Sequence, residues 1–111
     1  MIMITVTVLR EAENPTGFSV TGHANRGEYG EDLVCAAVSA VVQTAILGVV
    51  EVLNLNAGVS VSEGDTSCIL DRDTSPEEIE KAAVVLNTML AGLRSIQAAY
   101  PGTLKFRSKE V

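Results

Sequence analysis

The run Thr21-Gly22-His23-Ala24-Asn25-Arg26-Gly27-Glu28-Tyr29-Gly30-Glu31-Asp32-Leu33-Val34-Cys35-Ala36-Ala37-Val38-Ser39 leads from the end of an extended segment, through a polar loop, into an apolar helix. It contains the only histidine of the chain and one of its two cysteines, twelve positions apart. Upstream, Ile2 to Arg10 alternates with β-branched residues prominent, the period of a strand. A turn is expected over Glu13 to Gly17, and Phe18 to Thr21 returns as the second arm of a hairpin. Gly22 stands where the lack of a Cβ lets a strand bend or another backbone come close. Ala24 to Glu31 is polar and carries Gly27 and Gly30, which reads either as a plain connection or as a lid over a substrate. It has neither the Gly-Lys-Ser/Thr of a phosphate loop nor GxGxxG spacing.

Downstream, the helix is expected from Glu31 or Asp32 to about Leu55, with Gly58 as its cap. Apolar residues surround it on nearly every side, so one face is expected against the sheet and another against a second subunit. A second hairpin pairs Val59–Ser62 with Thr66–Asp71 around the turn Glu63-Gly64-Asp65. Ser75-Pro76-Glu77-Glu78 begins another helix, with Ser75 as N-cap and Glu78 closing a capping box. Its apolar positions Ile79, Ala82, Ala83, Leu86, Leu90, Leu93 and Ile96 keep helical spacing as far as the stop at Tyr100-Pro101-Gly102. Thr103 to Arg107 is a last strand, followed by a charged tail expected to fray. The order ββαββαβ predicts a two-layer α+β domain, a mostly antiparallel sheet with two helices on one face. A ferredoxin-like arrangement is the alternative, and the extra hairpin counts against it.

At 111 residues the chain suits one domain, 1–111, with a single core. Hydrophobic residues at 47% against 20% charged exclude a disordered class, and 4% aromatics leave the core to aliphatic side chains. A net charge of −6 argues against direct nucleic-acid binding, which needs clustered Lys and Arg. The start lacks the basic region of a signal peptide, and Leu33 to Leu53 is interrupted by Cys35, Ser39, Gln43, Thr44, Gly48 and Glu51, so a cytoplasmic protein without a membrane span is expected. Two cysteines without a framework favour free thiols, and no CxxC or Cys/His cluster suggests a metal.

With a helix starting at Glu31 or Asp32, Cys35 falls in the first turn, where unpaired amides and the helix dipole favour a thiolate. His23 ends the strand that feeds this helix, so thiol and imidazole meet across its mouth as nucleophile and base. The first-turn amides are placed to receive the oxyanion of an attacked carbonyl. Against this stands the plain reading of a small buried thiol and an unrelated histidine. Asp32 and Ser39 flank Cys35 at three and four residues, on nearly the same face. Asp32 is either an N-cap or the carboxylate that orients His23. Ser39 either assists at the sulfur or substrate carbonyl, or back-bonds to the helix. Cys68, beside Ile69 in a predicted strand, reads as structural.

Thr-Gly-His-Ala at 21 to 24 and Gly-Glu-Tyr-Gly-Glu-Asp-Leu-Val-Cys-Ala-Ala-Val-Ser at 27 to 39 together resemble the ribosomal-processing cysteine protease family, Prp. The resemblance implies a cytoplasmic homodimer without cofactor that removes the N-terminal extension of large-subunit ribosomal protein twenty-seven. Cutting follows a short motif containing phenylalanines. By the same resemblance His23 is the general base, Cys35 the nucleophile, Asp32 and Ser39 active-site neighbours, and Gly22 the glycine that lets the loop move. Leu33 stands where isoleucine is common, and Asn25-Arg26 falls in a variable part of the loop.

Two other readings compete with a cysteine endopeptidase. One is a non-catalytic dimeric module that binds a basic ribosomal protein tail during assembly. The other is a thiol-redox protein, disfavoured because no resolving cysteine lies near Cys35 in sequence.

Overall fold

The computed structural model of the chain describes residues 3–22, 29–62 and 64–111, and for residues 29–32 the main chain only. Its elements are β1 (Ile4–Glu11), β2 (Asn14–Thr21), α1 (Tyr29–Leu47) continued by a π-helical turn (Gly48–Val52), β3 (Ala57–Ser62), β4 (Asp65–Leu70), α2 (Pro76–Ala99) and β5 (Leu104–Glu110). They form one five-stranded sheet in the order β3-β4-β2-β1-β5. β5 runs parallel to β1, and the other neighbours are antiparallel. This is the expected α+β architecture with both helices on one face.

Alternation decides which face they cover. Ile4, Val6 and Val8 of β1 are buried, and in register with them lie Val20, Phe18, Leu104 and, across β2, Cys68. Over this face α1 lays Val34, Val38 and Val42, and α2 lays Ala82, Leu86, Leu90 and Leu93. The opposite face is polar, with Thr7 opposite Ser19 and Ser19 opposite Ser67. Leu33–Val52 and Pro76–Ala99 are each long and apolar enough to cross a bilayer, but here both give one face to the core.

The capping box at α2 is present: Glu78 N donates to Ser75 Oγ at 3.2 Å, and Ser75 N donates to Glu78 Oε1 at 3.0 Å. Other boundaries differ from expectation. The first turn is Ala12-Glu13, with Ala12 at φ 57°, so Pro15 and Gly17 belong to β2. The register passes from Leu9–Gly17 to Arg10–Pro15, leaving Thr16 as the extra residue of a bulge. A bulge is where a strand tolerates proline. The first helix starts at Tyr29, two or three residues early. It stops at Val52 rather than Leu55, and Asn54 at φ 56° makes the left-handed exit expected of Gly58, which instead lies inside β3. The charged tail does not fray, since β5 continues to Glu110 opposite Arg10 and Arg10 Nε donates to Ser108 Oγ at 3.1 Å.

Cys68 is 2% exposed between Phe18 and Val59, and both cysteines are free thiols. Burial pushes the Cys68 thiol up from its ordinary 9.0, because desolvation penalises the thiolate. The folded chain then keeps a proton that the unfolded chain releases. This contribution to stability is complete below pH 9.0 and is lost as pH rises above it. Urea unfolding at stepped pH should show wild-type stability falling more steeply above that point than in Cys68→Ala. Parallel slopes would contradict the assignment.

Candidate active site

A cleft of about 380 Å³ opens between α1 and the ends of β2, β3 and β4. Its helical wall carries Cys35, Ser39 and Gln43, spaced by four residues and therefore aligned along one stripe. The stripe is oriented by the core. Val34, Val38 and Val42 precede these three residues by one position each and are buried against the sheet. One residue is a rotation of about 100° on a helix of 3.6 residues per turn, so burial of the valines turns the polar stripe toward the strand ends. Cys35 is half-buried there and Ser39 is exposed.

Val61, Ser62, Gly64, Asp65 and Thr66 form the opposite wall, around the β3–β4 turn. Gly64 takes φ 79°, and its carbonyl accepts from Gly22 N at 3.0 Å, tying the end of β2 to the rim. Gly22 lines the cleft at φ 89°, and a Cβ there would stand 2.5 Å from the Met3 carbonyl oxygen. Both the backbone angle and the close approach require glycine. His23 is the next residue in sequence; with Ala24, Asn25, Arg26, Gly27 and Glu28 it lies outside the described residues.

The position of Cys35 corrects one expectation. Because α1 begins at Tyr29, Cys35 is in its second turn, beyond the amides that lack intrahelical partners. The free amides of the helix start are therefore not those beside Cys35. Tyr29, Gly30 and Glu31, expected in the loop, are helical. Asp32 is the fourth residue of α1 and so is not its N-cap; its carboxylate lies outside the described residues. Ser39 brings a hydroxyl to the thiol's side of the helix, one turn on.

Sequence reasoning missed Gln43 and the Val61–Thr66 wall. Gln43 had a signal in the polar stripe Cys35, Ser39, Gln43 on an apolar helix. It sits about 12 Å along the axis from Cys35, too far to touch the same carbonyl but placed to bond a chain lying in the cleft. The wall had none, since it depends on strand order. Among the described residues no group of His, Cys, Asp and Glu is arranged to hold a metal ion.

The family model described as cysteine protease Prp matches residues 3–105. The ribosomal processing cysteine protease Prp of Bacillus subtilis is 32% identical over 106 residues, covering 93% of this chain and 95% of that one. Its counterpart from Staphylococcus aureus is 31% identical, covering 98% and 100%. Among solved structures, the Staphylococcus aureus protease in complex with a substrate peptide superposes with a TM-score of 0.78 at 25% identity, covering 98% of this chain and 100% of that one. The same enzyme with a covalently linked product peptide superposes at 0.76 with 29% identity and the same coverage. A Streptococcus mutans protein at 24% identity and TM-score 0.82, covering 98% and 96%, shares the fold.

The exposure difference between the thiols predicts selective chemistry. Iodoacetamide should label Cys35 in the native protein and reach Cys68 only in denaturant, as read by peptide mass spectrometry. Gly22→Ala should cost at least about 1–2 kcal/mol from its backbone angle alone, measured by urea unfolding. An unchanged midpoint would show that the strand end relaxes freely.

Proposed function

The chain belongs to the cysteine protease Prp family, and from that premise we propose that it removes the N-terminal extension of large-subunit ribosomal protein twenty-seven in the cytoplasm. The observation that carries the proposal is the full-length match to that family, with Cys35 opening into a cleft large enough for a peptide segment. Relatives are ribosomal processing proteases, and one of them holds a substrate peptide. Family membership makes this chain an enzyme, which decides against the non-catalytic binding module.

In this reading the Cys35 thiol gives its proton to His23 and the sulfur attacks the scissile carbonyl carbon. Collapse of the tetrahedral intermediate breaks the C–N bond, and His23 returns the proton to the departing amine. Water, deprotonated by the same imidazole, releases the acyl group from sulfur. The covalently linked product peptide in the Staphylococcus aureus relative supports nucleophilic catalysis as the route. Ser39 Oγ lies on the thiol's side of α1 and serves as a donor to the reacting carbonyl. In the same reading Asp32 is the carboxylate that orients His23.

The proposal includes a homodimer. Its support is an apolar groove of about 570 Å³ between α1 and α2, lined by residues including Ala40, Val41, Val84, Val85 and Gly92. Val84 there is 67% exposed. A second copy covering this groove would bury the apolar side of α1 that the sheet leaves open.

A peptide spanning the extension and its cleavage site should be cut by the wild type, with turnover lowered by several orders of magnitude in Cys35→Ala and His23→Ala. Circular dichroism checks that both variants fold. Cleavage surviving in Cys35→Ala would sink the mechanism. For the assembly, Val84→Glu should shift sedimentation from dimer to monomer, and an unmoved dimer would place the contact elsewhere.

A further inference from the structure

The sheet has two edges, and they are built differently. β5 carries Lys105, Arg107, Lys109 and Glu110, the charged composition that keeps an edge from pairing with other chains. β3 reads Ala-Gly-Val-Ser-Val-Ser, with no charge and no proline, and its register with β4 is unbroken from Ala57–Leu70 to Ser62–Asp65. Gly58 to Ser62 are all exposed. A straight, uncharged and open edge is a template for an added strand.

The hydrogen-bond parity shows what this edge offers. Asp71 N donates to Asn56 O at 3.1 Å, so the pair just before β3 is a bonded one. Bonded and non-bonded pairs alternate along an antiparallel ladder. Gly58, Ser60 and Ser62 therefore bond inward to β4, while Ala57, Val59 and Val61 turn their N–H and C=O groups outward. The side chains of Val59 and Val61 share the helix side of the sheet, opposite Cys68 and Thr66. They stay 42% and 55% exposed, and unlike Ala57 they are not packed against the core. Val61 and Ser62 also line the cleft that holds Cys35, so this edge ends at the active site.

Resting on the protease reading above, we infer that the outer edge of β3 binds the substrate as an added β-strand. The peptide's main chain bonds to Ala57, Val59 and Val61, alternate side chains cover Val59 and Val61, and the chain then passes the Ser62 end into the cleft toward Cys35. Main-chain pairing supplies affinity and the strip of valines selects apolar residues at every second position. The occupant is the substrate rather than another protein because the strand is continuous with the catalytic cleft.

Two measurements on the full chain test this, using the extension peptide. Val59→Pro removes one outward N–H without touching the β4 ladder, and edge strands tolerate proline there. It should raise KM about five- to tenfold, the scale of one lost hydrogen bond, and change kcat less. Independently of any variant's folding, the wild type should be assayed against peptides N-methylated at one residue at a time. KM should rise at every second position of the paired segment and stay flat between. A peptide that is cut with no such alternation overturns the strand proposal and leaves the protease reading standing. An unmodified peptide that is not cut removes both. If Val59→Pro breaks a dimer while KM holds, the edge is a subunit contact and the inference falls.

Discussion

Burial of one valine stripe is the constraint on which the site depends. Val34, Val38 and Val42 are buried in one core with Val6, Val20, Phe18 and Cys68, and that burial sets the rotation of α1 about its axis. Once the rotation is set, the neighbouring stripe of Cys35, Ser39 and Gln43 faces the strand ends. The cysteine is thus aimed by residues that take no part in chemistry. A side chain on a packed helix is held more firmly than one on a loop, which suits the nucleophile role proposed for Cys35.

The same sheet that holds the helix also frames the opposite wall. β4 lies beside β2, so the β3–β4 turn comes against the end of β2 and the Gly22 N–H reaches the Gly64 carbonyl. Gly22 is pinned from the other side as well, by the Met3 carbonyl where a Cβ would stand. The residue before His23 is therefore one of the best-constrained points of the cleft. The positive φ of Gly22 is a conformation that glycine adopts without strain.

Coverage of the sheet is incomplete in a way that matters. The two helices shield β1, β2 and β4, and they leave Val59 and Val61 of β3 open beside the cleft. On their outer sides they leave a second apolar surface between α1 and α2. A chain of 111 residues has too few helices to close both. The acidic balance of the whole, at −6, adds long-range attraction for basic partners, acting on encounter rate more than on fit.

Local chemistry made much of this readable without coordinates. Alternation in β1, the capping box at Ser75 and the helical spacing of α2 each depend on near neighbours, and each element formed where those neighbours directed. The residues around His23 and Cys35 made a thiol–imidazole pair plausible, while it was the resemblance of those motifs to a known family that pointed to a protease. Boundaries set by distant partners were not readable. β5 extends to Glu110 only because β1 runs alongside it, and Pro15 enters β2 only because a bulge opens opposite Arg10. The far wall of the cleft, from Val61 to Thr66, exists only because the sheet places β4 beside β2. Sequence by itself determined the elements and singled out Cys35 as the candidate thiol, which are matters of period and residue type. Tertiary structure alone decided what faces Cys35, because the opposite wall depends on pairings between residues far apart in the chain.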